Sequence, residues 1–263
     1  MEISVFLRLK KYIKRIITKL IYSAAAYGGA SYSSDGMILL GKNAEFLKNE
    51  KFIRAYQAGM NSGHKIGRRK GNSRDLHIEW RALVCIWAAK HAQFLPGDFV
   101  ECGVNTGIMS LAICNFIDFN STGKKFFLFD TFEGIPPEQM SETERSARTE
   151  ENEQFYEDCY ETARRNFSTF DGAVLVRGKV PETLNSVSID RVCYMSIDMN
   201  IAYPEIAAIE FFWDKLVPGA IVVLDDYGWL NYSEQKVAMD EFAKKNNIFI
   251  LTLPTGQGLI IKR

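Results

Sequence analysis

The chain has 263 residues, enough for one large domain with an added segment. With 47% hydrophobic and 13% aromatic residues it can bury a sizeable core, which excludes wholesale disorder. Its 32 basic and 32 acidic residues cancel, so it lacks the positive field of a general nucleic-acid binder and no nucleic-acid partner is expected.

No apolar run approaches the roughly 20 residues of a membrane-spanning helix. Residues 1–21, however, place Val5, Phe6, Leu9, Ile13, Ile16, Ile17 and Leu20 at helical spacing, with Arg8, Lys11, Lys14, Arg15 and Lys19 largely on the other side. Charge interrupts every candidate signal-peptide core. Such a helix packs on its own domain or on a second subunit, or it makes peripheral contact with an anionic membrane surface. Residues 22–42, rich in Gly, Ser and Tyr, read as a linker. Helices are expected near 43–59 and 75–92. The basic loop between them is either solvated surface or, at 60–74, a flap over an anionic ligand. Residues 1–74 thus form an N-terminal segment and residues 75–263 the main domain. Cys85, Cys102, Cys114, Cys159 and Cys193 show no CxxC pair and read as thiols of a reducing, cytoplasmic compartment.

From residue 98 short apolar runs alternate with helical stretches. Strands are expected at 98–102, 125–130, 173–177, 192–198 and 220–225, with helices near 107–119, 150–168, 203–216 and 233–246. This alternation implies parallel βαβ units in a doubly wound α/β sheet. The runs at 248–251 and 259–262 are joined too closely for a crossover helix, so the last strand runs antiparallel. The stretch 138–165 holds nine acidic and four basic residues, and its first half reads as a solvated, mobile insertion.

In such a sheet ligands sit beyond the carboxyl ends of the strands. The first strand of the alternating region runs into Glu101-Cys102-Gly103-Val104-Asn105-Thr106-Gly107. Gly103 permits a tight turn and Gly107 a close approach of helix to strand. Asn105 stands where a dinucleotide fingerprint needs glycine. A buried Glu101 is costly unless paired, and a cationic cofactor would supply the reason. The second strand ends in Asp130-Thr131-Phe132, whose carboxylate either accepts ribose hydroxyls or caps the turn. Asp198 ends the fourth strand, and Asp225 and Asp226 end the fifth. On neighbouring strands these three would converge, and so many carboxylates repel unless a proton or cation lies between them. Oxygen ligands alone suit Mg²⁺. The structural alternative is that they cap the following helices.

Four segments in this order carry a family resemblance: Gly97 to Val104, Phe129 to Pro136, Gly178-Lys179-Val180-Pro181-Glu182-Thr183-Leu184, and Pro218 to Gly228. Over roughly residues 75–263 the chain resembles the macrocin O-methyltransferase family of sugar O-methyltransferases. The resemblance implies a Rossmann-like class I methyltransferase fold, a seven-stranded sheet with an antiparallel last strand plus N-terminal helices. It implies S-adenosylmethionine as cofactor, held by Glu101, Gly103, Asn105, Gly107, Asp130, Thr131, Phe132, Gly178 and Asp198. It further implies Mg²⁺ on Asp198, Asp225 and Asp226, a glycoside or activated sugar as substrate, and a homodimer; in catalysis Asp198, Asp226 or water is expected to receive the hydroxyl proton. The family's D-x-D at the fourth strand is here Asp198-Met199-Asn200, and an amide cannot take the proton assigned to the second acid. The competing readings are a nicotinamide oxidoreductase, a non-catalytic cofactor-binding protein, and methylation of a phenol or amine.

Overall fold

The computed structural model describes residues 2–66 and 75–263, with only the backbone course for residues 2–11, 14 and 15. The described chain divides into two compact units, residues 1–49 and 50–263. The boundary falls earlier than the expected 74/75, because the helix that follows residue 49 packs within the second unit. Most of the expected flap, residues 67–74, lies outside the described residues.

In the first unit α1 spans Glu2–Tyr27, and β1 (Ala30–Ser34) pairs antiparallel with β2 (Met37–Leu40). This corrects the expected linker at 22–42. Ser34 pairs with Met37 across Asp35-Gly36, whose φ angles of 49° and 77° form the two-residue turn that suits the twist of a hairpin. The Gly, Ser and Tyr content is that of a turn and its short strands.

The second unit begins with α2 (Glu50–Met60) and α3 (Glu79–Ala92), then alternates: β3 (Asp98–Cys102), α4 (Ile108–Ile117), β4 (Phe126–Asp130), α5 (Glu142–Phe155), α6 (Tyr160–Phe167), β5 (Ala173–Arg177), β6 (Val192–Ile197), α7 (Ala202–Phe212), β7 (Leu216–Leu224), α8 (Ser233–Lys245), β8 (Leu251–Thr252) and β9 (Gly258–Ile261). The strands form one seven-stranded sheet in the order β5-β4-β3-β6-β7-β9-β8. All neighbours up to β7 are parallel, while β9 runs antiparallel to both β7 and β8. The strand expected at 248–251 is reduced to Leu251–Thr252. β3 and β6 are central strands covered on both faces, and from Phe99 to Cys102 and Val192 to Ile197 every residue is buried. Rings of Phe99, Phe119, Phe126 and Tyr194 pack at 5.1–6.2 Å between centroids around the amino-terminal halves of β3, β4 and β6.

Two expectations about 138–168 are corrected. The region is two helices, α5 and α6, broken at 156–159, and its acidic first half is ordered by a capping box. Ser141 Oγ accepts the Glu144 amide at 3.1 Å and Glu144 Oε2 accepts the Ser141 amide at 2.9 Å. Glu144 and Arg148 are buried despite their charge.

The β3–α4 turn has no room for a side chain at its first glycine. Gly103 has φ 93°, and a Cβ there would collide with the carbonyl oxygen of Asp198 on the neighbouring strand. Gly103→Ala is expected to cost about 3 kcal/mol or more in thermal or denaturant unfolding. An unchanged Tm would refute this close approach.

Candidate functional site

Beyond the carboxyl ends of β3, β4 and β6 lies a cavity of about 330 Å³. Of the expected site residues, Glu101, Gly103, Asn105, Asp130, Thr131, Phe132, Gly178, Asp198 and Asp226 line it. Gly107 and Asp225 do not. Gly107 starts α4 with φ 99°, and its missing Cβ leaves space for the Phe167 ring, which a Cβ would meet at 2.6 Å. No histidine is among the described lining residues.

At the β3 end, Glu101 is only 3% exposed and its Oε2 has no hydrogen-bond partner. Burial, with the charges of Asp198 and Asp130 adding to it, pushes its carboxyl up to about 8. A bare buried carboxylate oxygen facing a cavity suits a cationic group of a ligand. Asp130 does another job. Its Oδ2 accepts the amides of Val104 and Asn105 at 2.6 and 2.7 Å, and its Oδ1 accepts the Phe132 amide at 2.6 Å and the Thr131 hydroxyl at 3.3 Å. The carboxylate thus ties the β3 loop to the β4 loop, and any ribose hydroxyl must share it. Phe132 adopts φ 57° and packs its edge against Tyr160.

At β6 and β7, single carboxylate oxygens of Asp198, Asp225 and Asp226 lie within 4.8 Å of one another. They do not cap the next helices: α7 and α8 begin after Ile201 and Tyr232, neither with a side-chain cap. Asp226 Oδ2 is buried and unpartnered. Burial and the neighbouring Asp198 drive the Asp226 carboxyl well above the usual carboxylate range, and burial raises that of Asp198. Asp225 is not among the lining residues and is ion-paired with Arg81, which is one of them; Arg81 Nε donates to Oδ1 at 3.3 Å and Gln257 Nε2 donates to it at 3.0 Å. One of three carboxylates is therefore already neutralised, and the remaining pair with its unpartnered oxygen fits a divalent cation.

Further residues, invisible to motif reading, hold this edge. Glu205, buried in the first turn of α7, accepts the amides of Met199 and Asn200, each at 3.1 Å, and Gln235 Nε2 at 2.9 Å. Burial pushes its carboxyl up to about 8. Asn200, with φ 65°, turns its amide nitrogen toward Asp198 Oδ1 at 3.5 Å and accepts the Tyr232 hydroxyl at 3.1 Å. Arg148 of α5 lies 3.5 Å over the Tyr232 ring and donates to the Asn231 carbonyl at 2.7 Å. Glu144 Oε1 accepts the Ala202 amide at 2.7 Å, so α5 is fastened to the start of α7 as one wall of the cavity. No regular spacing announces Arg81, Arg148 or Tyr232, because each acts through a partner remote in sequence.

Comparison with known proteins gives the same architecture. The profile of the family described as macrocin-O-methyltransferase (TylF) matches residues 82–251. A curated relative, the 8-demethyl-8-(2,3-dimethoxy-alpha-L-rhamnosyl)-tetracenomycin-C 4'-O-methyltransferase of Streptomyces olivaceus, is 27% identical over 143 residues, 52% of this chain and 55% of that protein. The chain thus matches about half the length of that relative. Among solved structures, the O-methyltransferase NovP superposes with a TM-score of 0.68 at 20% identity, covering 82% of this chain and 98% of NovP. The calicheamicin methyltransferase CalS11 gives 0.54 at 17% identity, covering 84% and 94%. At these identities the solved structures establish the fold, a class I Rossmann-like sheet.

Proposed function

We propose, since this chain belongs to the macrocin-O-methyltransferase family, that it transfers a methyl group from S-adenosylmethionine to a hydroxyl of a sugar or glycoside with the help of Mg²⁺. The observation that carries the reading is the pairing, in one cavity, of an unpartnered buried Glu101 oxygen with the Asp198 and Asp226 carboxylates. The tetracenomycin relative, named for methylation on a rhamnosyl group, supports the sugar acceptor. Asn105, where a dinucleotide loop needs glycine, disfavours a nicotinamide cofactor.

When bound, the donor supplies an electrophilic sulfonium methyl, and the metal supplies a Lewis acid that orients and acidifies hydroxyls. The chain's own residues do the rest. Glu101 receives the donor's cationic amine, Gly103 lets ligand and backbone approach, and Asp130 locks the two loops around them. Asp198 and Asp226 would hold the cation, and a carboxylate oxygen of this pair not engaged by it would receive the proton released by the attacking hydroxyl. Asn200 cannot take that proton; its amide orients Asp198 instead. α5 and Tyr232 close the acceptor side and exclude water. A cytoplasmic location belongs to the same reading, supported by five free cysteines, four of them buried.

Titration with S-adenosylmethionine and, separately, with NADH tests the cofactor assignment. Binding of the first alone is expected, and binding of NADH alone would overturn it. On the acceptor side, Arg148→Ala is expected to raise the acceptor KM about tenfold through loss of its contact with Tyr232, leaving the donor Kd unchanged. A parallel loss of donor binding would show that Arg148 only supports the fold.

A further inference from the structure

The first unit carries an apolar stripe that its own packing leaves uncovered. Along α1, Ile13, Ile16, Ile17 and Leu20 recur at helical spacing and are 42–65% exposed. The hairpin engages the other side of the helix: the Tyr22 carbonyl accepts Ser33 Oγ at 3.2 Å and the Tyr22 hydroxyl accepts the Gly36 amide at 2.7 Å. Tyr22 lies about 160° round the helix from Leu20. Charge is segregated in the same segment. Between residues 3 and 34 there are six basic residues, Arg8, Lys10, Lys11, Lys14, Arg15 and Lys19, and no acidic one, in a chain whose charges balance as a whole. Among the described residues no helix is long and apolar enough to cross a membrane.

We propose that α1 docks in the plane of an anionic lipid surface, its isoleucine–leucine stripe in the acyl boundary and its bases on the headgroups. Charge selects this occupant over a second copy of the chain. A two-fold contact through the stripe would leave the bases of both helices without an acid to meet, since none lies between residues 3 and 34, whereas a bilayer rich in acidic lipid offers the opposite charge along the whole helix. The exposed branched side chains supply the burial that holds the helix after electrostatic encounter.

The test is sedimentation of the full chain with vesicles of phosphatidylcholine alone or with about one third phosphatidylglycerol. Binding to the acidic vesicles, weakened by salt, and none to the neutral ones is expected. Ile17→Glu with Leu20→Glu should lower partitioning at least about tenfold, and Lys14→Gln with Lys19→Gln about 25-fold. Both pairs should keep the wild-type Tm and S-adenosylmethionine titration, since α1 belongs to the first unit and the cavity's lining residues to the second. The proposal is overturned if the full chain ignores acidic vesicles, if the variants bind them like wild type, or if the stripe variants instead dissociate a dimer or lower Tm.

Discussion

Asp226→Asn is expected to reduce methyl transfer by about 10²- to 10⁴-fold while leaving the fold intact. Asp226 is buried at the cavity edge with an unpartnered Oδ2, and an amide of the same shape keeps the packing but can neither accept the hydroxyl proton nor attract a divalent cation. Removal of metal by exhaustive chelation is expected to give a loss of similar size, reversed by Mg²⁺. The two losses should not add, because both act on one cluster. Stability moves the other way. Burial and the repulsion from Asp198 raise the Asp226 carboxyl, so the ionised form weakens the folded state as pH rises. The amide variant should therefore unfold at a Tm no lower than wild type at neutral pH. A variant that transfers methyl at the wild-type rate would remove Asp226 from the reaction, and full turnover after chelation would remove the metal.

Glu101→Gln is expected to weaken S-adenosylmethionine binding by about 30- to 1,000-fold, the loss that follows when one partner of a buried charged contact is neutralised. The pH dependence distinguishes this from a packing defect. Burial holds the Glu101 carboxyl at about 8, so the free protein carries it largely protonated at pH 7, and capture of a cationic amine must expel the proton. Wild-type affinity should climb as pH rises toward 8 and level off above it, over and above any titration of the donor itself. The variant should lack that component. The sign for stability is opposite: with a folded-state value raised above 4.5, Glu101 stabilises fully only below about that pH and loses its contribution as pH rises through about 8. Glu205 acts in the same direction and remains in the variant, so Glu101→Gln should flatten part of the decline in Tm between pH 6 and 9.

Much of the architecture is legible in the sequence because buried parallel strands leave unmistakable apolar runs. The strand-tip residues Glu101, Asp130, Asp198 and Asp226 stood out for the same reason, as acids at the ends of those runs. What escaped has physical causes. The hairpin at 30–40 hides in a Gly, Ser and Tyr-rich stretch, although Asp35-Gly36 is the dipeptide that two-residue turns prefer. α5 was obscured by its charge count, yet Ser141-x-x-Glu144 is the spacing of a capping box, and its buried Arg148 finds compensation in Asn231 and Tyr232 across 83 and 84 positions of sequence. The division of labour among the three aspartates could not be read from their spacing. Asp225 and Asp226 are adjacent, but the chain turns one toward Arg81 and Gln257 and the other toward the cavity. Such assignments depend on residues separated by 144 and 32 positions.

The most direct measurement is a single-turnover reaction with methyl-labelled S-adenosylmethionine, Mg²⁺ and a panel of glycosides, the product's labelled position being fixed by mass spectrometry. A labelled methyl ether on a sugar oxygen, lost in Asp226→Asn, is the predicted result. Label appearing on nitrogen or a phenol, or none transferred to any acceptor while the donor stays bound, would contradict a sugar O-methyltransferase.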